Sequence, residues 1–265
     1  GATLKLFRGF ALNPFYNQLT VGGAVQPGSG GLGAYGNYNS YFYNIQDSRY
    51  STSFGVKLTH DAKAEDALVP GLSLALGYQK FDDGSGNYPY EDLLAYASYQ
   101  GKLAFLSLQP YVRYHSFTDA SASAGTYDYT TLKYGVKVAT DPLAIPLKPG
   151  LEGVYAARST DITRGSTNDA QETYWRVGLT LNEFLAPGAS VKVGYASYRG
   201  TNVVDPAGSF LTRGYGDYSL SATTDRLFTY PGEVQFPWNL TTGAGSGSGG
   251  VDGIYVEANY YGFTV

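Results

Sequence analysis

The chain alternates apolar and polar positions with a period of two along much of its length. Thr52, Phe54, Val56 and Leu58 interleave with Ser53, Gly55, Lys57 and Thr59, and Leu72, Leu74, Leu76 and Tyr78 with Ser73, Ala75, Gly77 and Gln79. Leu132, Tyr134, Val136 and Val138 do the same, as do Trp175, Val177, Leu179 and Leu181, and then Val191, Val193 and Tyr195. Successive side chains of a strand point to opposite faces, so each run predicts a strand with one oily face and one wet face. About twelve strands are predicted by this pattern. They lie near 3–11, 38–46, 50–60, 71–81, 92–101, 103–117 (one long strand or a bent pair), 131–140, 149–158, 172–182, 189–199, 214–223 and 253–264. Many are about nine to eleven residues long, the length of a strand tilted across a bilayer. Strands of soluble proteins peak nearer five or six. No stretch has the periodicity of an amphipathic helix.

A repeat overlies the alternation. Prolines at 70, 110, 149 and 187 are spaced by 40, 39 and 38 residues. Val69-Pro70-Gly71-Leu72, Lys148-Pro149-Gly150-Leu151 and Ala186-Pro187-Gly188-Ala189 are its clear copies, and the one at Pro110 is degenerate. Each period holds two strands, so the unit is an up-down hairpin with Pro-Gly in the turn before a strand. The Pro-marked turns at 61–70, 141–149 and 182–188 fall on one rim. Longer polar segments at 82–92, 118–130, 159–172 and 200–213 fall on the other. Short turns on one rim and long loops on the other are the plan of an outer-membrane barrel. Gly/Ser-rich stretches near 22–36 and 241–250 are expected to be flexible loops. No composition shift divides the rest, so residues 1–265 are expected to form a single transmembrane β-barrel domain or barrel segment.

Composition narrows this reading. The 265 residues include no Cys and no Met, 35 Gly and 26 Tyr, with aromatics at 15% and charged residues at 15%. So many aromatics exclude a disordered chain, and the absence of cysteine excludes a disulfide scaffold or a Cys-ligated metal. A net charge of −4 and a pI near 5.2 argue against a nucleic-acid partner. No window supplies the roughly 18 apolar residues of a spanning helix. The start, Gly1-Ala2-Thr3, lacks the charged and apolar regions of a signal peptide, and a chain without an initial Met is expected to be a processed or excised segment.

The alternating runs, the Tyr/Trp-rich strand ends and the rim asymmetry, covering Arg49 to Arg199 and again Tyr255 to Thr264, resemble a bacterial outer-membrane β-barrel of the porin class. Such barrels commonly end on an aromatic residue, whereas this chain ends Phe263-Thr264-Val265. The cysteine-free, Gly/Tyr-rich hairpins also look like the C-terminal barrel portion of the S-layer-associated (SLH) porins of deinococcal type. That resemblance implies an all-β, antiparallel up-and-down barrel, or a contiguous part of a larger one, in the outer membrane. The expected partners are membrane lipids, including lipopolysaccharide-type or other outer-leaflet lipids, further copies of the chain as a homo-trimer, and S-layer or peptidoglycan-linked envelope components.

Two sets of residues carry candidate chemistry. Tyr78, Tyr134, Tyr174, Trp175, Tyr195, Tyr198 and Tyr255 lie at or near strand ends and suit lipid-interface girdles, where an apolar ring with a polar tip is favoured. Their other reading is as core or edge aromatics of a soluble sandwich. Lys57, Arg113, Lys133, Lys137, Arg176 and Lys192 all fall on the face opposite the apolar one, with Glu152 and Glu257 as the clearest acids within strands. A cation on the lipid face near mid-bilayer costs about 2–4 kcal/mol, so their parity predicts a polar lumen. The six cations and Glu152 are expected to line the pore. They would either favour anions, as rings of Lys and Arg do, or solvate the lumen and pair with Glu152, Glu257 or an in-folded loop.

Enzymatic chemistry is poorly supplied. The only histidines are His60 and His115, and Ser116 beside His115 points to the opposite face of a strand. Asp82, Asp83, Glu91 and Asp92 offer oxygen ligands to Ca²⁺ in one loop. Solvation of that loop is the preferred reading, and no cofactor is expected. The expected function is passive diffusion of small polar solutes or ions through a polar lumen with weak anion preference. A structural barrel anchoring a surface layer is the first alternative, and an outer-membrane protease or lipase the second.

Overall fold

The computed structural model describes residues 2–18, 52–81, 90–119, 129–162, 170–184, 187–204, 232–234, 246–260 and 263–264. In these the chain forms β1 (Leu4–Lys5), β2 (Phe10–Gln18), β3 (Thr52–His60), β4 (Leu72–Phe81), β5 (Tyr90–Tyr99), β6 (Gly101–Leu103) and β7 (Leu106–Asp119). It continues with β8 (Tyr129–Thr140), β9 (Pro149–Ile162), β10 (Ala170–Leu181), β11 (Ala189–Val204), β12 (Ser246–Tyr260) and β13 (Phe263–Thr264). The strands form a 13-stranded antiparallel meander in sequence order, with β6 beside β7 as the near half of a tight hairpin. Among the described residues β1 and β13 end the sheet and do not pair with each other. The 10 to 16 residues of β4, β5 and β7–β12 match or exceed what a tilted strand needs to cross a bilayer.

Several element boundaries differ from the sequence reading, each for a local reason. The first predicted strand, 3–11, is broken at residues 6–9, where Arg8 and Gly9 take φ of 52° and 83°. The stretch 103–117 turns at Ala104 and Phe105, with φ of 54° at Ala104. The hairpin turn therefore precedes Pro110 by several residues, and Pro110 sits inside β7 opposite Val136. At Gly71 (φ 86°) the Pro-Gly turn behaves as predicted: a Cβ there would lie 2.3 Å from the Gln100 carbonyl oxygen. The Gly/Ser-rich stretch 241–250 is not wholly a loop, because β12 already begins at Ser246. Similarly, residues 200–204 of the predicted loop 200–213 belong to β11, which has a register shift between Gly200 and Val203. The predicted strands at 38–46 and 214–223, and the stretch 22–36, lie outside the described residues.

The two faces of the sheet differ sharply. One parity is apolar and exposed, with Leu76 at 48%, Val177 at 52%, Val193 at 46% and Ile254 at 79% relative exposure. The other is buried and holds the core cluster of Ala75, Tyr96, Tyr111, Val154, Ala156, Tyr174, Tyr198 and Val234. Tyr78, Tyr134, Trp175 and Tyr195 lie on the outward parity with the aliphatic residues, where Trp175 and Tyr195 pack at 5.7 Å between ring centroids. Tyr174, Tyr198 and Tyr255 do not join them. Each shares the parity of Arg176, Ala196 or Glu257 and faces inward, so none is a lipid-interface aromatic. The phenols of Tyr198 and Tyr255 are used on the inward face instead, as described next.

Candidate functional site

The inward face carries two groups of charge. The first follows a single cross-strand row: Tyr96 on β5 faces Arg113 on β7, Arg113 faces Lys133 on β8, Lys133 faces Arg158 on β9, and Arg158 faces Glu172 on β10. All five are buried. Three cations thus stand side by side, an arrangement that is destabilising unless counter-charge is supplied. Glu172 meets Arg158 in a buried ion pair and accepts a hydrogen bond from the Tyr198 hydroxyl at 2.7 Å. Further counter-charge comes from far along the chain. Glu233, fully buried, places Oε2 3.3 Å from Lys133 Nζ and Oε1 3.4 Å from Arg113 Nε. Its neighbours dock beside it: Gly232 against Gln109 and Ser98, and Val234 in the core cluster with Tyr96 and Tyr111.

The second group lies nearer the short-turn rim. Arg176 on β10 pairs with Glu152 on β9 at 3.3 Å and Glu257 on β12 at 2.8 Å. Lys192 on β11 pairs with the same two carboxylates at 2.8 and 3.3 Å. Tyr255 donates to Glu152 at 3.2 Å and carries the Arg176 guanidinium over its ring at 5.4 Å. The ring rests on two facing glycines, since a Cβ on Gly194 would come 2.6 Å from it and one on Gly178 2.2 Å from its hydroxyl. These side chains are partly accessible, and Lys192, Glu152 and Glu257 help line a polar cavity of about 370 Å³ with Asn182 and Asn259.

All six predicted cations and Glu152 lie on this inward face. Lys137 is half-buried with Arg176, Glu152 and Glu233 as its charged neighbours, and Lys57 is opposite Asn13 and Gly77 on the buried side of β2–β4. Sequence reasoning missed Arg158, Glu172 and Glu233. The first two fell at assumed strand ends, although the parity of Tyr174 and Arg176 extends to Glu172. Glu233 has no local signal.

His60 has the outward parity but is covered at the turn rim, where its Nδ1 lies 2.6 Å from the Leu72 carbonyl and its ring 4.7 Å from that of Phe10. His115 is buried on the inward face opposite Leu94 and Thr131. Asp82 and Asp83 lie outside the described residues, and Glu91 pairs with Lys80 at 2.6 Å. No cluster of metal-ligating side chains occurs among the described residues.

Comparisons with known proteins agree with this architecture. A family model described as the β-barrel domain of S-layer protein SlpA matches residues 1–265. The chain is 39% identical over its whole length to 28% of an "Outer membrane protein SlpA" of Thermus thermophilus. A second Thermus thermophilus protein of that description is 35% identical over 97% of the chain and 26% of its own length. One from Deinococcus radiodurans is 27% identical over 71% of the chain and 18% of its own length. The chain therefore spans about a quarter of the Thermus relatives it matches.

Proposed function

This chain belongs to the S-layer protein SlpA β-barrel domain family, and we propose that within its outer-membrane barrel it lines a narrow polar passage for small polar solutes and ions. The bacterial outer membrane is its location and a transmembrane antiparallel β-barrel its fold. Residues 1–265 act as a single barrel domain or barrel segment in this reading. One observation carries the transport proposal: a charged face is maintained across consecutive strands, although burying charge is costly and an apolar filling would be the cheaper core. Among the described inward side chains, Lys57, Arg113, Lys133, Lys137, Arg158, Arg176 and Lys192 outnumber Glu152, Glu172, Glu233 and Glu257. That excess supports a mild anion preference, reduced because carboxylates neutralise many of the cations. Transport here is sieving with electrostatic bias and no covalent step.

The test is the reversal potential of the purified protein in planar bilayers under a KCl gradient. Mild anion preference is expected, and cation preference would overturn the selectivity. Absence of conductance from a well-inserted sample would overturn the passage itself. A second reading, a structural barrel connecting the outer membrane to a surface layer, is favoured by the S-layer description of the matching family. In that reading the outward aromatics Tyr78, Tyr134, Trp175 and Tyr195 meet outer-leaflet lipids, and copies of the chain assemble as a trimer.

A further inference from the structure

We propose that the short-turn rim is itself embedded in the membrane, with Leu103, Phe105, Leu143 and Ile145 anchoring it at the acyl–headgroup boundary of the leaflet on that side. Phospholipid then covers these turns, whether or not the barrel conducts. Three observations carry this. First, the strands alone are too short for the apolar band. On the outward parity Tyr78, Tyr134, Trp175 and Tyr195 each stand six residues from the short-turn end of their strand, at Leu72, Thr140, Leu181 and Ala189. Six steps span about 20 Å along a strand, and about 16 Å along the membrane normal at a tilt of about 40°. A barrel's apolar band is about 25 Å tall, which leaves roughly 9 Å to be covered beyond the strand ends. The band cannot shift toward the long loops. Lys80, two residues past Tyr78, pairs there with Glu91, and Arg199, four past Tyr195, pairs with Asp252, all on the outward parity.

Second, the turns supply apolar surface of their own. Leu103 ends β6, Phe105 lies in the turn into β7, and Leu143 and Ile145 lie between β8 and β9. All four are 54–66% exposed, more than Leu179 on the outward strand face at 43%. Third, the turns satisfy their backbone within the rim. Adjacent turns are tied together: the Gln100 N–H donates to the Gly71 carbonyl at 2.8 Å, that of Asp141 to Phe105 at 2.8 Å, and that of Asn182 to Leu147 at 2.9 Å. Within the β8–β9 turn, Leu143 donates to the Pro149 carbonyl at 2.9 Å and Lys148 to that of Ile145 at 3.0 Å. Irregular backbone is tolerated at membrane depth only where its polar groups find such partners, whereas a turn in water needs none. Charges on the rim are paired in the same way, Lys102 with Asp141 at 2.6 Å and Lys148 with Glu183 at 2.5 Å, each across neighbouring turns. Apolar anchors among paired charges on long stems suit the boundary layer, where the charged tips reach toward the headgroups.

Nitroxide labels test this in the purified protein reconstituted into dioleoyl phosphatidylcholine vesicles, with relaxation agents on both sides of the bilayer. The chain has no cysteine, so Phe105→Cys and Ile145→Cys each carry a single label in it, and Leu179→Cys gives the lipid-facing reference. Collisions with oxygen, which concentrates in lipid, should exceed those with a water-soluble nickel chelate severalfold at both turns, as at Leu179. Nickel collisions above oxygen collisions at either turn would put it in water and overturn the belt. Few collisions with either agent would mean that a protein segment covers the turns, which overturns it equally.

Bilayer thickness then separates insertion into lipid from burial in protein. In the thinner bilayers of dilauroyl phosphatidylcholine the strands alone nearly fill the hydrocarbon, and the turns should emerge. Nickel collisions at Phe105→Cys and Ile145→Cys should rise about twofold, with those at Leu179→Cys unchanged. Turns that do not respond, or an equal rise at Leu179→Cys, would overturn the placement of the rim in the boundary layer.

Discussion

The Arg113–Lys133–Glu233 group and the Arg176–Lys192–Glu152–Glu257 group occupy the same face of one sheet but are assembled differently. The second comes from neighbouring strands in register: Lys192 faces Glu257 directly on β11 and β12, and Glu152 and Arg176 are diagonal neighbours on β9 and β10. It is reached by water, and each carboxylate serves two cations. The first is dehydrated, and its carboxylate must be delivered by a segment that belongs to no neighbouring strand. A register-built group is self-contained once the strands pair. A delivered one couples the sheet to its longest connection, and removing one partner leaves a buried charge with too little compensation.

The largest expected effect tests the dehydrated side of that contrast. Glu172→Leu strips Arg158 of its buried carboxylate and Tyr198 of its acceptor. Loss of about 3–5 kcal/mol is expected, read as a lower urea midpoint for the protein refolded into lipid vesicles. Arg158→Met/Glu172→Leu should recover most of it, since replacing both ions with apolar groups of similar size is often neutral. A double variant no better than the single one would place the cost in packing and break the argument from charge.

The same contrast explains what was legible in the sequence. Period-two parity identified the inward cations Lys57, Lys133, Lys137, Arg176 and Lys192, because a barrel strand leaves a side chain only two faces. Parity points Tyr174, Tyr198 and Tyr255 inward, against the affinity of tyrosine for interfaces. The structure puts Tyr198 on Glu172 and Tyr255 on Glu152. Glu233 was not legible at all: its partners lie 100 and more residues away, and no periodicity in a connection fixes where it folds back. The turn at Ala104 was open in the sequence, where 103–117 reads as one long strand or a bent pair, because a turn on a non-glycine residue with positive φ lacks the Gly signal.

A smaller effect probes the joint that supports the second group. Gly194→Ala would put a Cβ 2.2 Å from the Val177 carbonyl oxygen and 2.6 Å from the Tyr255 ring. The strands must shift or the ring must leave, for a loss of about 1–3 kcal/mol. Tyr255→Ala/Gly194→Ala should relieve the ring's part of the clash, though not the backbone's. Below this comes Glu152→Gln. Glu257 still serves both Arg176 and Lys192, and water reaches the vacated positions, so about 1 kcal/mol is expected. A loss as large as that of Glu172→Leu would erase the distinction between the two groups.

The smallest effect concerns selectivity and separates the groups by screening. Lys192 and Glu152 are accessible enough for salt to reach them, whereas Lys133 and Glu233 are not. The Debye length falls from about 10 Å at 0.1 M salt to about 3 Å at 1 M. Lys192→Gln removes one cation from a half-neutralised group, so the anion-to-cation permeability ratio should fall by less than about twofold at 0.1 M and be indistinguishable from the parent at 1 M. Lys133→Gln alters a charge that bulk ions do not screen, and any change it makes should persist at 1 M. The measurement is the reversal potential of each variant at both salt levels with a fixed gradient ratio. If the two variants share one salt dependence, solvent reaches both groups equally, and the delivered carboxylate is no more secluded than those held in register.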